Sequence, residues 1–520
     1  MDITLFALNS SFTHTNLAIR YLASALEAEG LTAVIKEYNL KDKKAKVLNE
    51  LVNTHSDIYA FSVYIWNINA MLSYARDLKK LRPHSYIVFG GPEVSFENDS
   101  FFTEHPYIDM IIRGEGESVI AEVCKEPSRY KIVDGNHTDS FAHAGILYDR
   151  YPAQGDILYY ESARGCPYRC SYCLSSLSEG LRRKDTEQVL NELSQFEKLN
   201  NKPRIIKFVD RTFNYDLQRA KEIWKALLSD KYSLNYHFEI AADLLDDECF
   251  KILADMPMGK IQFEAGIQST NMNTLNEIKR KTDSNKVIKT LTRLKSFGNI
   301  HIHADLIAGL PFEDINSFAT SFDEAIACCN KLQLGFLKML KGSYIRNNAA
   351  DHGYIYESDP PYTVLSNNYL SYNEVYRLEQ IAQTIDRFYS SGRFDNTMEY
   401  VLNNVASPFE FFSRLTDIQI KEQDKMSQHE CRMALISMLD NDPVALSRLA
   451  LDSIIYENKK PPQELKEYYT EHSRDIINCI TEKFKGYRHN NLYIYTFDFD
   501  KDNYYIIDRT KHIMEKRCIK

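Results

Sequence analysis

Short apolar runs with strand spacing alternate with stretches whose apolar residues recur every three to four positions, and this rhythm stops and restarts once along the 520 residues. Strand and helix in turn have one economical solution, parallel strands joined by helices that pack on the sheet. The first series has strand-like runs at 2–8, 32–37, 58–62, 86–89 and 110–112, with helical spacing at 17–28, closed by Gly30, and at 68–81. It predicts an α/β, doubly wound, Rossmann-like domain over 1–125. Residues 126–155 read as a connector with at most short strands. The rhythm resumes with strand candidates at 157–161, 205–210, 236–241, 260–266, 301–307 and 334–339, separated by helices such as 186–199, 217–228 and 317–329. Six units where a closed barrel has eight predict a partial (β/α)6 barrel over 156–344, with its chemistry at the carboxyl ends of the strands. Beyond it, 345–520 reads as mainly helical, at 370–389, 428–438, 443–458 and 463–484, with a strand pair at 492–497 and 504–508. These helices are expected to cover the barrel mouth.

Directly after the first barrel strand stand Cys166, Cys170 and Cys173, spaced C-x3-C-x2-C, with Tyr172 immediately before the last. Three thiolates can hold three irons of a cubane cluster and leave the fourth open to an outside ligand. Zinc would need a fourth ligand, and no second Cys or His pair lies at finger spacing. The other seven cysteines form no tight group, and adjacent Cys328 and Cys329 on a helix point about 100° apart. Polar residues stand at later strand ends: Asp210-Arg211-Thr212-Phe213-Asn214, Glu239, Gln268, Arg280 and Asp305. Carboxylates can accept from a ribose or an ammonium and an arginine can fork onto a carboxylate, although each is as readily a structural ion pair.

In an open parallel sheet, ligands sit beyond the carboxyl ends of the strands. The loops there in the first domain are Asn9 to His14, Ser62-Val63-Tyr64-Ile65-Trp66-Asn67, Gly90-Gly91-Pro92-Glu93 and Arg113-Gly114-Glu115-Gly116-Glu117. Their glycines let backbone approach a flat ligand, and Tyr64 and Trp66 offer apolar faces. Taken singly, each is also readable as a plain turn.

The cysteine stretch resembles the signature of the radical S-adenosylmethionine (SAM) enzymes. The series Glu-x-Ala, Gly-Ile-Gln-Ser, Ile-x-Arg and Asp-Leu-Ile-x-Gly-Leu-Pro resembles members related to oxygen-independent coproporphyrinogen oxidase. The resemblance implies a [4Fe-4S] cluster on Cys166, Cys170 and Cys173, and SAM held by Tyr172, Glu239, Gln268, Arg280 and Asp305. The first 120 residues resemble the cobalamin-binding domain that precedes the radical core in one branch of that family. By that likeness Asn9, Ser62, Val63, Tyr64, Trp66, Gly90, Gly91, Pro92, Glu93, Gly114 and Glu115 contact cobalamin. The Asp-x-His-x-x-Gly motif that supplies a lower cobalt ligand in many cobalamin proteins is absent, which leaves the lower ligand open, and His14 reads as an ordinary loop residue. The last third resembles an uncharacterised extension found on some such proteins.

The implied activity is reductive cleavage of SAM to a 5′-deoxyadenosyl radical and methylation of an unactivated carbon, with an external flavodoxin- or ferredoxin-like electron donor. Rearrangement or oxidation without methyl transfer stays open, as does a non-catalytic cobalamin sensor. A net charge of −9 argues against a grip on long nucleic acid, although Arg182-Arg183-Lys184 is either a local basic patch or a solvated turn. No run approaches the roughly 18 apolar residues that cross a bilayer and the start lacks a basic signal, so the expectation is no membrane partner and a cytoplasmic site with reduced cysteines.

Overall fold

The computed structural model describes residues 2–135, 141, 147–153, 155–178, 180–199, 203–422, 426–457, 462–472, 492–508 and 513–518. These fall into two compact units, one reaching Ser317 and resuming over Gly335–Tyr372, the other Phe318–Leu334 with the residues from Asn373 onward.

The first unit opens with β1 (Ile3–Asn9), β2 (Ala33–Asn39), β3 (Ile58–Ser62), β4 (Tyr86–Gly90), β5 (Met110–Gly114) and β6 (Ile132–Gly135). They form one parallel sheet in the order β2-β1-β3-β4-β5-β6. The order reverses at β1, which puts a crevice beyond the ends of β1 and β3. Both faces of the inner strands are buried, β1 and β3 along their whole length, because helices cover each side. Leu17–Ala28 and Ile68–Leu81 match the predicted helices residue for residue. β6 lies in the stretch that reads as a connector and pairs with β5, so the sheet runs past 125.

The barrel strands are β7 (Ile157–Tyr160), β10 (Ile205–Phe208), β11 (Asn235–Glu239), β12 (Ile261–Gln268), β13 (His301–Ala308) and β14 (Lys331–Phe336). The intervening β8 (Ala163–Arg164) and β9 (Arg182–Arg183) make a two-stranded hairpin that frames the cysteine loop. The six strands form one sheet, β14-β13-β12-β11-β10-β7, an open partial barrel. Burial alternates strictly along β12 and β13. One face presents Tyr160, Phe208, Phe238 and Phe263 to the helices, where Trp224 packs 5.5 Å from Phe263. The other face carries Tyr159, Lys207, His237, Glu264 and His303. A closed barrel fills this space with branched apolar side chains, so polar lining marks a hollow.

The basic run after the cysteine loop is not a free patch. Arg182 pairs with Glu115 and Arg183 with Asp216, while Lys184 is buried and donates to Glu192 at 2.9 Å. Charges of this kind are consumed within the fold because each reaches a carboxylate from a neighbouring element.

In the second unit, Gln428–Met438 matches its predicted helix, and Pro443–Glu457 matches the described part of the helix expected at 443–458. The helix expected at 463–484 does not form over its described part: Gln463–Tyr468 is a 3-10 turn and β17 (Tyr469–Glu471) pairs antiparallel with β18 (Leu492–Phe497). Tyr469, Thr470, Thr496 and Phe497 suit a pleated surface, and that pairing outweighs local helical spacing. The remainder of the expected helix lies outside the described residues. β19 (Asp500–Asp508) and β20 (Ile513–Cys518) complete a four-stranded sheet. No helix among the described residues is long and apolar enough to cross a membrane.

Candidate functional site

The three cysteines of the hairpin loop converge. Burial pushes the Cys170 thiol up, opposed by the Arg280 guanidinium and reinforced by the Cys173 and Cys166 sulfurs, which both act on it. Arg280 Nη1 stands 3.9 Å from Cys170 Sγ, and Thr212 Oγ1 stands 3.9 Å from Cys166 Sγ. The backbone fixes the loop from two sides, with Ser171 N–H donating to Ile278 O and Ile345 N–H to Ser171 O. At Gly165 the backbone φ is +99° and a Cβ would run into Gly180 O, which is why a glycine must precede Cys166. Cys166, Cys170 and Cys173 are free thiols.

Beside the loop stands a group of buried polar atoms with nothing to bind. Gln268 Oε1, Arg280 Nε and Asp305 Oδ1 have no hydrogen-bond partner among the described residues. Leaving such a group unsatisfied costs about 1–3 kcal/mol. Gln268 moreover holds a left-handed φ of 69°, which turns its side chain inward at the end of β12. Burial, with Glu264 and Glu239 close by, pushes the Asp305 carboxyl up to about 7, against the pull of Lys207 and Arg280. Burial also raises Glu239, which Arg211 opposes. The ring of Tyr172 packs on a core that includes Leu275, Leu337, Met339 and Tyr362. Donor, acceptor and acid orphaned together fit a zwitterionic nucleoside such as SAM, and three converging thiols fit a [4Fe-4S] cluster with one open iron.

Below this group, Glu264 Oε2 accepts from His237 Nε2 at 2.8 Å and Lys207 Nζ at 3.0 Å. Burial works against its ionisation, but these contacts hold Glu264 down to about 2. The nearby His303 offers a third nitrogen within 4.8 Å, yet Lys207 already balances the carboxylate without an ion.

A cavity of about 790 Å³ opens between the first sheet and the cysteine hairpin. Asn9, Ser62, Tyr64, Trp66, Gly90, Gly91, Pro92, Gly114 and Glu115 line it, nine of the eleven residues expected to touch a corrinoid. Asn9 is held there by Glu37 Oε1 at 2.8 Å, and Tyr64 and Trp66 stack at 4.3 Å with a 10° interplanar angle. Gly91, at φ +120°, lies so close to Val63 O that a side chain would not fit. This concave, largely pre-formed cradle with a flat aromatic wall fits a corrinoid.

Val63 and Glu93 do not line the cavity. Val63 is fully buried in the core behind it. Glu93 is 4% exposed and accepts from Tyr362 Oη at 2.7 Å and Lys341 Nζ at 3.1 Å, both from the segment after the barrel. Glu115 lines the cavity, but its carboxylate is held by Arg164 at 3.1 Å and Arg182 at 3.0 Å. Arg164 also reaches Glu117 at 2.9 Å and Glu161 at 2.8 Å, so one guanidinium two residues before Cys166 ties the corrinoid-side loop to the cluster side. His14 lines the cavity as well, in a short hydrogen bond with Tyr159 Oη, and burial, with Lys207 near, lowers its pKa. Arg164 and Glu37 were not legible as site residues, since nothing but distant partners marks them.

Comparison with known proteins agrees with this geometry. Family profiles match a B12 binding domain at residues 3–124, the Radical SAM superfamily at 160–325, and a protein of unknown function (DUF4080) at 350–485. Among curated relatives are a 2-(S-pantetheinyl)-carbapenam-3-carboxylate methyltransferase of Streptantibioticus cattleyicolor, 29% identical over 51% of this chain, and the cobalamin-dependent radical SAM methyltransferase TokK of Streptomyces tokunonensis, 28% over 50%. The chain spans less than half the length of these two, 44% of each. Among solved structures, the cobalamin-dependent SAM radical enzyme OxsB aligns with a TM-score of 0.61 at 16% identity, covering 94% of this chain and 82% of that one. TsrM of Kitasatospora setae aligns at 0.55 and 15%, covering 69% and 79%. These likenesses establish the fold. The domain content is that of cobalamin-dependent radical SAM proteins, whose cofactors are a [4Fe-4S] cluster, SAM and cobalamin, and which need a reductant and a substrate.

Proposed function

We propose that this chain, with a B12-binding domain ahead of a radical SAM domain, is a cobalamin-dependent radical SAM methyltransferase that cleaves SAM to a 5′-deoxyadenosyl radical and methylates an unactivated carbon. We divide it as corrinoid domain 1–125, connector 126–155, radical SAM barrel 156–344 and C-terminal domain 345–520. One observation carries the reading: the cavity lined by the candidate corrinoid residues and the cysteine loop share a wall, formed by Glu161, Ala163, Arg164 and Gly165.

When bound, the cluster supplies the electron that cleaves SAM, and cobalamin carries the methyl group. The chain's own part is placement. Cys166, Cys170 and Cys173 would hold three irons. Gln268, Arg280 Nε and Asp305 would meet the amino acid and ribose ends of SAM, with Glu239 and Tyr172 beside them. The nine cavity residues would hold the corrinoid, and the buried aromatic layer on the barrel's outer face keeps water from that side. The electron donor in this reading is a flavodoxin- or ferredoxin-like protein, and the setting is the cytoplasm, which would keep the free thiols reduced.

The test is anaerobic reconstitution with iron, sulfide and hydroxocobalamin, then addition of methyl-labelled SAM, dithionite as reductant and a small-molecule cell extract as source of the acceptor, followed by mass spectrometry of the products. Formation of 5′-deoxyadenosine and S-adenosylhomocysteine, with label in a third product, is expected. A third product that gains no methyl mass would mean rearrangement or oxidation. Protein that binds cobalamin and makes no 5′-deoxyadenosine under reduction would be a sensor.

A further inference from the structure

In the run Asp210-Arg211-Thr212-Phe213-Asn214, four of the five side chains are buried and occupied, and one is not. Asp210, 1% exposed, accepts from Ser162 N and Ala163 N at 2.8 and 3.0 Å and fixes the strand that leads to the cysteines. Thr212 sits against Cys166, and Phe213 packs 4.3 Å from Phe238. Asn214, fully buried, bonds both backbone groups of Ala241 at 2.8 and 2.9 Å. Arg211 alone is exposed, and what it is exposed to is the cavity.

Its guanidinium makes no hydrogen bond or ion pair among the described residues. The groups that act on it from a distance are Glu239, then the Cys173 and Cys166 sulfurs, then Glu161, which is already taken on both oxygens by Arg164, at 3.0 and 2.8 Å. Surrounding elements thus hold the backbone of this turn rigidly while leaving a permanently charged, fork-shaped donor pointing into the hollow between the corrinoid cradle and the cluster loop.

We infer that Arg211 is the anchor for an anionic group, carboxylate or phosphate, on the methyl-accepting substrate. The inference rests on the reading above and narrows its substrate to small polar anions. A neutral lipid would leave this guanidinium desolvated and unpaired, which is costly. SAM has its own arginine in Arg280, whose Nε is orphaned beside Gln268 and Asp305. Tyr159 and His14, hydrogen-bonded to each other, also line the hollow, beside apolar side chains such as Leu17, Phe61 and Ile112 that suit the non-polar part of the guest.

The test uses inorganic phosphate and acetate as probes of the reconstituted holoenzyme with SAM bound and the corrinoid poised as paramagnetic cob(II)alamin. Relaxation of the phosphate 31P and the acetate carboxyl 13C is measured for wild type, R211K and R211M. The expected result is relaxation enhancement of at least one probe in wild type, within about twofold in R211K, and at least fivefold smaller in R211M, with cluster and corrinoid spectra and SAM affinity unchanged. The probe more strongly relaxed tells phosphate from carboxylate. Equal enhancement in R211M, or none in wild type, would overturn the inference. So would a tenfold loss of SAM affinity in R211M, which would give the guanidinium to SAM, or a shift in cluster potential as its one effect. Wild-type 5′-deoxyadenosine formation without any probe is recorded in parallel, so that failure of the parent reading is seen separately.

Discussion

Asp305 concentrates the physics of the SAM pocket in one side chain. Its folded pKa of about 7 lies above the ordinary 3.8, so between those values the folded protein keeps a proton that the unfolded chain has released. Stability from this group is therefore full below about 4, falls as pH rises through the window, and is lost above 7. Asp305→Asn should accordingly raise the unfolding midpoint of ligand-free protein by a few degrees at pH 8 and leave it nearly unchanged at pH 5, read by thermal denaturation at both pH values. Gln268→Leu removes the orphaned acceptor and should weaken SAM binding about tenfold, the worth of one good hydrogen bond, with cluster absorbance unaltered. Equilibrium dialysis with labelled SAM checks it. Gln268, Arg280 and Asp305 were legible as candidates because each sits in a local motif, Gln268 closing β12, Asp305 within β13 and Arg280 between the helices Met272–Glu277 and Ser284–Phe297. Arg211 was legible as a residue of a strand end but not as a ligand, because its neighbours' occupation is what leaves it unpaired.

The β8–β9 hairpin is the element on which both halves of the site depend, and it has only two residues per strand. Four carboxylate contacts converge on Arg164 and Arg182 across this hairpin from Glu115, Glu117 and Glu161, all with side chains under one-fifth exposed. Breaking a partly buried network by removing one partner strands the others, so Arg164→Met should cost about 3 kcal/mol in denaturant unfolding. Combined with Glu115→Gln, the loss should fall short of the sum of the single changes by at least 1 kcal/mol, the signature of a shared interaction. Long, periodic elements such as Ile68–Leu81 were readable to the residue, whereas this hairpin and β6 were not. Two to four residues carry no period, and their pairing is decided by partners far away in sequence: Arg164 and Glu115 are 49 positions apart.

The molecule as a whole comprises two compact units, so a single unfolding transition is not expected. Calorimetry should resolve at least two, and hydroxocobalamin at 100 times its dissociation constant should stabilise the cavity-bearing one by about 2.7 kcal/mol and leave the other in place. At this scale the sequence showed two βα series, but β6 carries the first sheet past 125 and at 463–471 strand pairing overrode the local helical spacing. A further consequence follows from the contact between Glu93 and Tyr362, which lie 269 positions apart. The amino-terminal sheet emerges from the ribosome and folds long before its fastener is translated. Lys341 and Tyr362 arrive only after every barrel strand has been made, so the nascent corrinoid seat stays unlatched throughout synthesis. Cofactor insertion would then belong to the finished chain, and a truncation that ends before Tyr362 should yield a sheet that folds and a seat that never closes.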